Sequence, residues 1–562
     1  MNKRFQRSLA AFLILFALCV KELPRAAAQS ATNVYAITNA RIVPVSGATI
    51  EKGTIVIRDG LISEVGANIS APADARVVDG TGLKIYPGLI DANTNLAIPQ
   101  TQRAPQGAGG GAGGAQQQQQ QQQTSSSTNY PQGLQPETNA ADLIRAGNDQ
   151  FEQQRNVGIT TALTAPRDGI FMGQSVVINL SGETATQMVV RGPVAQHIGF
   201  TPLRGGQYPA STMGVFSAIR QMLLDAQRLQ TANAIYEKNP KGLHRPEQDK
   251  SLVALFPVIN GQTPVVMNAN TEREIVRALD LAQEFKLKAI IAGGAESWKV
   301  ADRLKKMDVP VLLSVNLPKR LTAAVSEADP EPLRVLRSRV EASKTANKLA
   351  AAGVHFAFQS GGATNMSDYL AGAAKTVEGG LSKDAALRAM TLGAAEILGV
   401  ADRMGSIETG KIANLTVARG DIFDKGAHVT HVFIDGVMFE NKAPAASTTA
   451  AQQKTAAAVV APAVPMIGGT WTLNIDIPGQ PITVTAEIKQ EGSSLTGTLQ
   501  TPFGPGQITS GTVSADGFSF KATVNAGQQI EVTFTGKVTG NQISGVVNSP
   551  QGDASFTGTK NP

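Results

Sequence analysis

Five histidines serve the whole chain, at His197, His244, His355, His428 and His431. A helical zinc pair needs two of them four residues apart, so that both imidazoles leave one face, and no pair has that spacing. Asp91, Glu183 and Glu296 are the carboxylates nearest the ends of apolar, strand-like runs, where a general base would be carried. No Gly-x-Ser-x-Gly elbow stands between a strand and a helix, and no Walker-type glycine–lysine loop is present. The glycines of 107–114 have the composition of a linker rather than of a phosphate cradle. The single cysteine, Cys19, lies in the N-terminal segment, so thiolate metal sites and disulfides are closed to the rest of the chain.

The elements that would position these groups come in three kinds. Residues 34–86 are rich in strands: Thr54-Ile-Val-Ile57, Arg58-Asp-Gly60 and Leu61-Ile-Ser-Glu-Val65 read as a hairpin closed by an Asp-Gly turn. Ala413–Val417 and Val429–Val437, with a second such turn at Asp435-Gly436, return to the same pattern, which predicts one small β domain built from both ends. Between them strands and helices alternate. Thr271-Glu-Arg-Glu274 is a capping box, and Ile275, Ala278, Leu279, Ala282 and Phe285 recur at helical spacing after it. Strands are predicted at Val265–Met267, Ala289–Ile291, Val309–Val315 and His355–Phe358, and helices over 334–352 and 383–398, with Ser297 capping a further helix. Repeated βα units call for a parallel sheet, closed as a barrel or open and doubly wound. Beyond 467, short alternating strands punctuated by Gly497, Gly511, Gly536, Gly545 and Gly558 predict an all-β sandwich or small closed barrel with Trp471 in its core.

Composition narrows the partners. Apolar residues make up 42% and charged residues 17% of the 562, a globular balance. Lys3, Arg4 and Arg7, then an apolar run from Leu9 to Val20, then Ala26-Ala-Ala28 read as a cleaved signal peptide over 1–28, with export to the periplasm or beyond. Twelve apolar residues are too few for a stable membrane span. Those 28 residues carry five basic side chains and one acidic, so most of the formal charge of +6 leaves with them. No basic stripe with interleaved aromatics remains, and nucleic acid is excluded as a partner. Residues 106–132, glycine, polyglutamine and serine, are expected to be disordered, and 443–466 to be a linker.

Three stretches carry a family resemblance. Tyr86-Pro-Gly-Leu-Ile-Asp-Ala-Asn-Thr-Asn-Leu96 resembles the first barrel strand of the amidohydrolase superfamily. Ala386–Leu398 resembles the last barrel helix, and Gly405-Ser-Ile-Glu-Thr-Gly-Lys-Ile-Ala-Asn-Leu-Thr-Val417 the return into the flanking β domain. Together they are similar to the imidazolonepropionase-like branch over about 34–440. The resemblance implies an α/β fold: a TIM-like (β/α)8 barrel over 87–402, with a composite β-sandwich from 34–86 and 403–442. A separate all-β domain at 467–562 follows. It also implies metal-dependent hydrolysis of C–N bonds, with histidines on the first, fifth and sixth strands and an aspartate after the eighth. Metal-bound hydroxide is the nucleophile such a site supplies.

At the matching positions this chain has Asn93 and Asn95 on the first strand, Asn268 on the fifth, Gly293 on the sixth and Gly361 after the eighth, with Asn270 close by. An amide oxygen is a neutral, weak ligand, and glycine offers none. Losing only a supporting residue around a metal costs about 10–100-fold in affinity, so the expectation is no metal, no cofactor and no catalytic residue. The chain would then be a non-catalytic binding protein or the partner of an intact amidohydrolase subunit, its mouth lined by amides suited to an uncharged polar molecule or peptide. The alternatives are an active C–N hydrolase with a different site, for which Glu183, Glu296 and Asp91 are the nearest carboxylates, Asp91 being read as a brace of its strand rather than a reacting group, and a carbohydrate- or surface-binding role for the C-terminal domain.

Overall fold

A computed structural model describes residues 34–99, 130–147, 150–203, 208–319, 331–361, 363, 365–441, 466–476, 482–492, 494–502, 504–514, 517–525, 529–549 and 552–561. The expected signal peptide, nearly all of the expected disordered insertion and all but the last residue of the expected linker lie outside the described residues. The chain divides into two compact units, 1–445 and 446–562.

In the first unit eight staves surround one interior. They are Leu89–Thr94, Ile159–Thr164, a third running through Phe171–Gln174 and Val176–Asn179, then Gln196–Ile198, Val265–Ala269, Ala289–Gly293, Val311–Ser314 and Phe356–Gln359. Nearly every stave sends apolar side chains inward: Ile90, Leu163, Val177, Val266, Ile290, Leu312 and Ala357 form one buried cluster, with Ala195 at the start of the fourth stave. Ala394, Ala395, Leu398 and Met404 belong to the same cluster and plug the end from which the parallel strands start. Each large aliphatic side chain sealed there is worth about 1.5–3 kcal/mol of burial. The opposite faces of the staves pack on the surrounding helices.

The barrel departs from eight parallel strands at one place. The third stave runs antiparallel to the second, with Thr161 opposite Asn179 and Leu163 opposite Val177, and antiparallel to the fourth, with Gln196 opposite Gln174. The ladder changes partners at Ser175, whose N–H donates to Ala195 O at 2.9 Å and whose carbonyl accepts from Val194 N at 2.8 Å. The residues after this stave therefore emerge at the plugged end, not at the mouth.

The flanking sheet takes strands from both ends of the unit, in the order His428–Ile434, Leu415–Arg419, Leu83–Pro87, Val34–Ile42, Ile50–Arg58 and Leu61–Gly66, with Val437–Glu440 at the outer edge. It curls far enough that its two Asp-Gly turns touch: Gly436 lies against Gly60, and Leu61 bridges Ile412.

Several local signals differ from their expected reading. The helical pattern over 334–352 is two helices, Leu333–Ala342 and Thr345–Ala351, and that over 383–398 is Lys383–Ala389 and Leu392–Ile397. Ser297 does not cap a helix: it begins a single 3-10 turn, Ser297–Val300, and its buried hydroxyl has no partner among the described residues.

The second unit is a closed barrel of eight antiparallel strands in chain order, from Gly469–Asp476 to Gly552–Lys560, the first pairing with the last. Closure removes both sheet edges. Trp471, Phe518, Phe520, Phe534 and Phe556 fill it, and the Trp471 indole N–H donates to Ile467 O at 2.6 Å. Of the two sequence alternatives for this domain, barrel and sandwich, the barrel is the one present. No described helix is long and apolar enough to cross a membrane.

Candidate functional site

The mouth is the end at which the parallel staves finish, and it collects most of the expected positions. Asn93 and Asn95 follow one another out of the first stave, both half-buried. The Asn93 side chain donates to Gln359 Oε1 at 2.9 Å, and Gln359 in turn donates to Leu312 O at 2.6 Å. The Asn95 amide carries no side-chain hydrogen bond among the described residues. Asn268 pairs opposite Ala292, which is in the interior cluster, and its amide N–H approaches Met172 Sδ at 3.7 Å.

The two glycine positions are closed by their neighbours. Gly293 ends the sixth stave with φ +101, and a Cβ there would collide with the Asn270 side-chain oxygen. Asn270 is fixed from behind: Glu274 Oε2 accepts from the backbone N–H of Asn270 at 2.8 Å and of Thr271 at 3.0 Å. The capping box expected at 271–274 is present, and it fixes the backbone that carries the Asn270 side chain. Gly361, with φ +65, follows the eighth stave, and a Cβ there would collide with Ser314 Oγ. The φ of +101 at Gly293 is a poor host for any side chain, whereas φ +65 at Gly361 is one that Asp and Asn adopt, as Asp59 and Asp435 do here.

The carboxylates separate cleanly. Glu183 follows the antiparallel third stave and sits at the plugged end, away from the mouth. Glu296 accepts the Glu272 backbone N–H at 2.8 Å and pairs with Lys299 at 2.9 Å, and these bonds hold its carboxyl below the usual range. It serves as a cap. Asp91 is fully buried on the first stave. Its Oδ1 accepts from Ser360 N at 3.0 Å and more weakly from Asn93 N, while Oδ2 has no partner among the described residues. Burial pushes its carboxyl up to about 6 against the pull of those bonds and of Arg167. Burial, reinforced by the Asp91 charge, raises the neighbouring Tyr369 phenol, which donates to Ile90 O at 3.3 Å.

His197 is a residue whose place the sequence did not reveal. It pairs opposite Val266, so it shares the interior face, and it is buried with Nε2 unpartnered among the described residues. Burial, assisted by the Arg167 cation, pushes its imidazole down to about 3. The only signal was a polar residue in a three-residue strand too short to show alternation. Arg167, on the loop after the second stave, is exposed and makes no ion pair among the described residues. The other histidines lie apart. His355 precedes the eighth stave at the plugged end, His428 and His431 sit in the flanking sheet, and His244 is exposed.

The donor set does not fit a divalent cation. Among the described residues no three of His, Cys, Asp and Glu converge. The mouth offers amide oxygens, one imidazole and one buried carboxyl already tied to the eighth stave, where zinc wants three or four nitrogen, sulfur or carboxylate donors.

A barrel of this kind with a curled sheet built from both flanks defines the class of protein. The amidohydrolase family model matches residues 268–439. An amidohydrolase from Thermotoga maritima superposes with a TM-score of 0.58 at 25% identity, over 72% of this chain and 100% of that one. A 5-methylthioadenosine/S-adenosylhomocysteine deaminase from Pyrococcus furiosus is 42% identical over 62 residues, 11% of this chain and 15% of the enzyme. A dihydroorotase from Pelobacter propionicus is 33% identical over 63 residues, again 11% and 15%. The matched stretch thus spans only 15% of the length of either curated relative. Residues 268–439 thus match the amidohydrolase family, within a unit whose fold is similar to that of an amidohydrolase.

Proposed function

We propose that this chain is an exported, non-catalytic member of the superfamily that binds a small, uncharged polar molecule or peptide at the barrel mouth. The carrying observation is the donor set: among the described residues no three of His, Cys, Asp and Glu converge, and the glycines at 293 and 361 bring no donor of their own. Such a mouth has no route to a metal-bound hydroxide, and the one buried carboxyl, Asp91, is engaged by Ser360. What remains at the mouth is a set of amides. Asn93, Asn95 and Asn268 pair donors with acceptors and carry no charge, which matches an amide-bearing ligand. A subunit with an intact site is the natural companion of such a chain.

The test is an assay of the purified protein with Xaa-Pro dipeptides and cyclic amides, with and without added zinc, alongside calorimetric binding of the same compounds. Binding without turnover is expected, weakened by Asn268→Ala. Turnover that needs Asn268 would establish instead the alternative, a C–N hydrolase with a rebuilt site.

A further inference from the structure

The helix Leu333–Ala342, which follows the seventh stave, is mounted the wrong way round for a globular protein. None of its residues is buried. Leu333, Leu336 and Val340 fall on one face at i, i+3 and i+7, and they are 60%, 41% and 57% exposed. Val335, Arg339 and Ala342, on the other side, are half-buried, as is Glu341. Apolar residues scattered singly on a surface need no explanation, but a continuous aliphatic stripe does.

Charge says what the stripe faces. Arg334 and Arg337 flank it, are exposed and have no ion-pair partner among the described residues. The helix's one acidic residue, Glu341, is already held by Lys348 at 2.5 Å and by Lys344 at 3.8 Å. A second copy laid on the same stripe would offer Arg334 and Arg337 only Glu341, which Lys348 and Lys344 already hold. An anionic surface satisfies both features at once: aliphatic side chains enter its apolar layer while the guanidiniums hold phosphate oxygens.

We propose that Leu333–Ala342 is a lipid-docking helix that rests flat on an anionic bilayer surface, Leu333, Leu336 and Val340 inserted and Arg334 and Arg337 on the headgroups. The contact is reversible, because one short stripe is far from a spanning segment.

The full chain is tested with phosphatidylglycerol and phosphatidylcholine vesicles, read by hydrogen exchange of the 333–342 amides and by flotation. The local readout separates this helix from any binding through the apolar N-terminal segment. Exchange over 333–342 should slow on phosphatidylglycerol only. R334Q/R337Q should weaken the helix-dependent binding about 30-fold, and L333S/L336S/V340S should abolish the protection. No slowing on anionic vesicles overturns the proposal, as does slowing unchanged in both variants. Protection already complete without vesicles, or a mass doubling lost in the triple variant, also overturns it and assigns the stripe to a protein contact.

Discussion

Asp91 and His197 answer acid in opposite directions. The Asp91 carboxyl is raised to about 6, so the stability it supports is complete below roughly pH 4 and is lost as pH rises through 6. His197 is lowered to about 3, so its contribution is present above roughly pH 6.5 and is lost as pH falls toward 3. The two slopes oppose each other across the mildly acidic range. Asp91→Asn keeps an oxygen for the Ser360 N–H and removes the buried charge. It should gain on the order of 3 kcal/mol at pH 7.5 and nothing at pH 4, read as urea midpoints at the two values. His197→Gln should remove the loss of stability on acidification that the imidazole imposes; an unchanged pH profile would show that the imidazole is not buried in the neutral form. Gly293→Ala meets both Asn270 and a φ of +101, and should cost about 1–3 kcal/mol. The same change beside Asn270→Gly should recover the collision but not the backbone strain, so a calorimetric comparison of single and double variants separates the two.

Among elements, the weak join of the barrel is between its first and eighth staves. Among the described residues no strand ladder connects them; the join is made by Ser360 N to Asp91 and by Asn93 to Gln359. Gln359→Leu removes the Asn93 acceptor and strands Leu312 O, and should cost about 1–3 kcal/mol, seen as faster hydrogen exchange in both staves. Much of this architecture is legible in the chain where the signal is local. The Asp59-Gly60 and Asp435-Gly436 turns and the Thr271–Glu274 box each depend on residues within four positions of one another. The match of 86–96 and 405–417 to the family supplies the barrel that periodicity left open against a doubly wound sheet. The direction of the third stave is not legible, because an apolar run such as Val176–Asn179 packs equally well either way and only its partners decide. The same limit hid the filling of Gly293. It takes Asn270, held by a cap one element earlier, to show that the position is closed and not merely empty. Ser297 failed for a related reason: a serine before a helix caps only if the chain there is extended, and Glu296 and Ser297 already turn.

For the whole molecule, two units with separate cores predict two unfolding events. The second unit is a closed barrel whose indole is sealed and hydrogen-bonded, so residues 446–562 alone should fold, with blue-shifted Trp471 emission. Trp471→Ala should cost about 3–5 kcal/mol in that unit and leave the first transition in place; loss of both transitions together would show that the units fold as one. The central claim, that the first unit keeps an amidohydrolase barrel without its metal, rests on Asn93, Asn95, Asn268, Gly293 and Gly361 together. Elemental analysis of the purified protein after dialysis against zinc, manganese and iron tests it most directly. The donor set predicts far less than one metal per chain, unchanged in Asn268→Ala. One equivalent of metal per chain, reduced by that substitution, would contradict it.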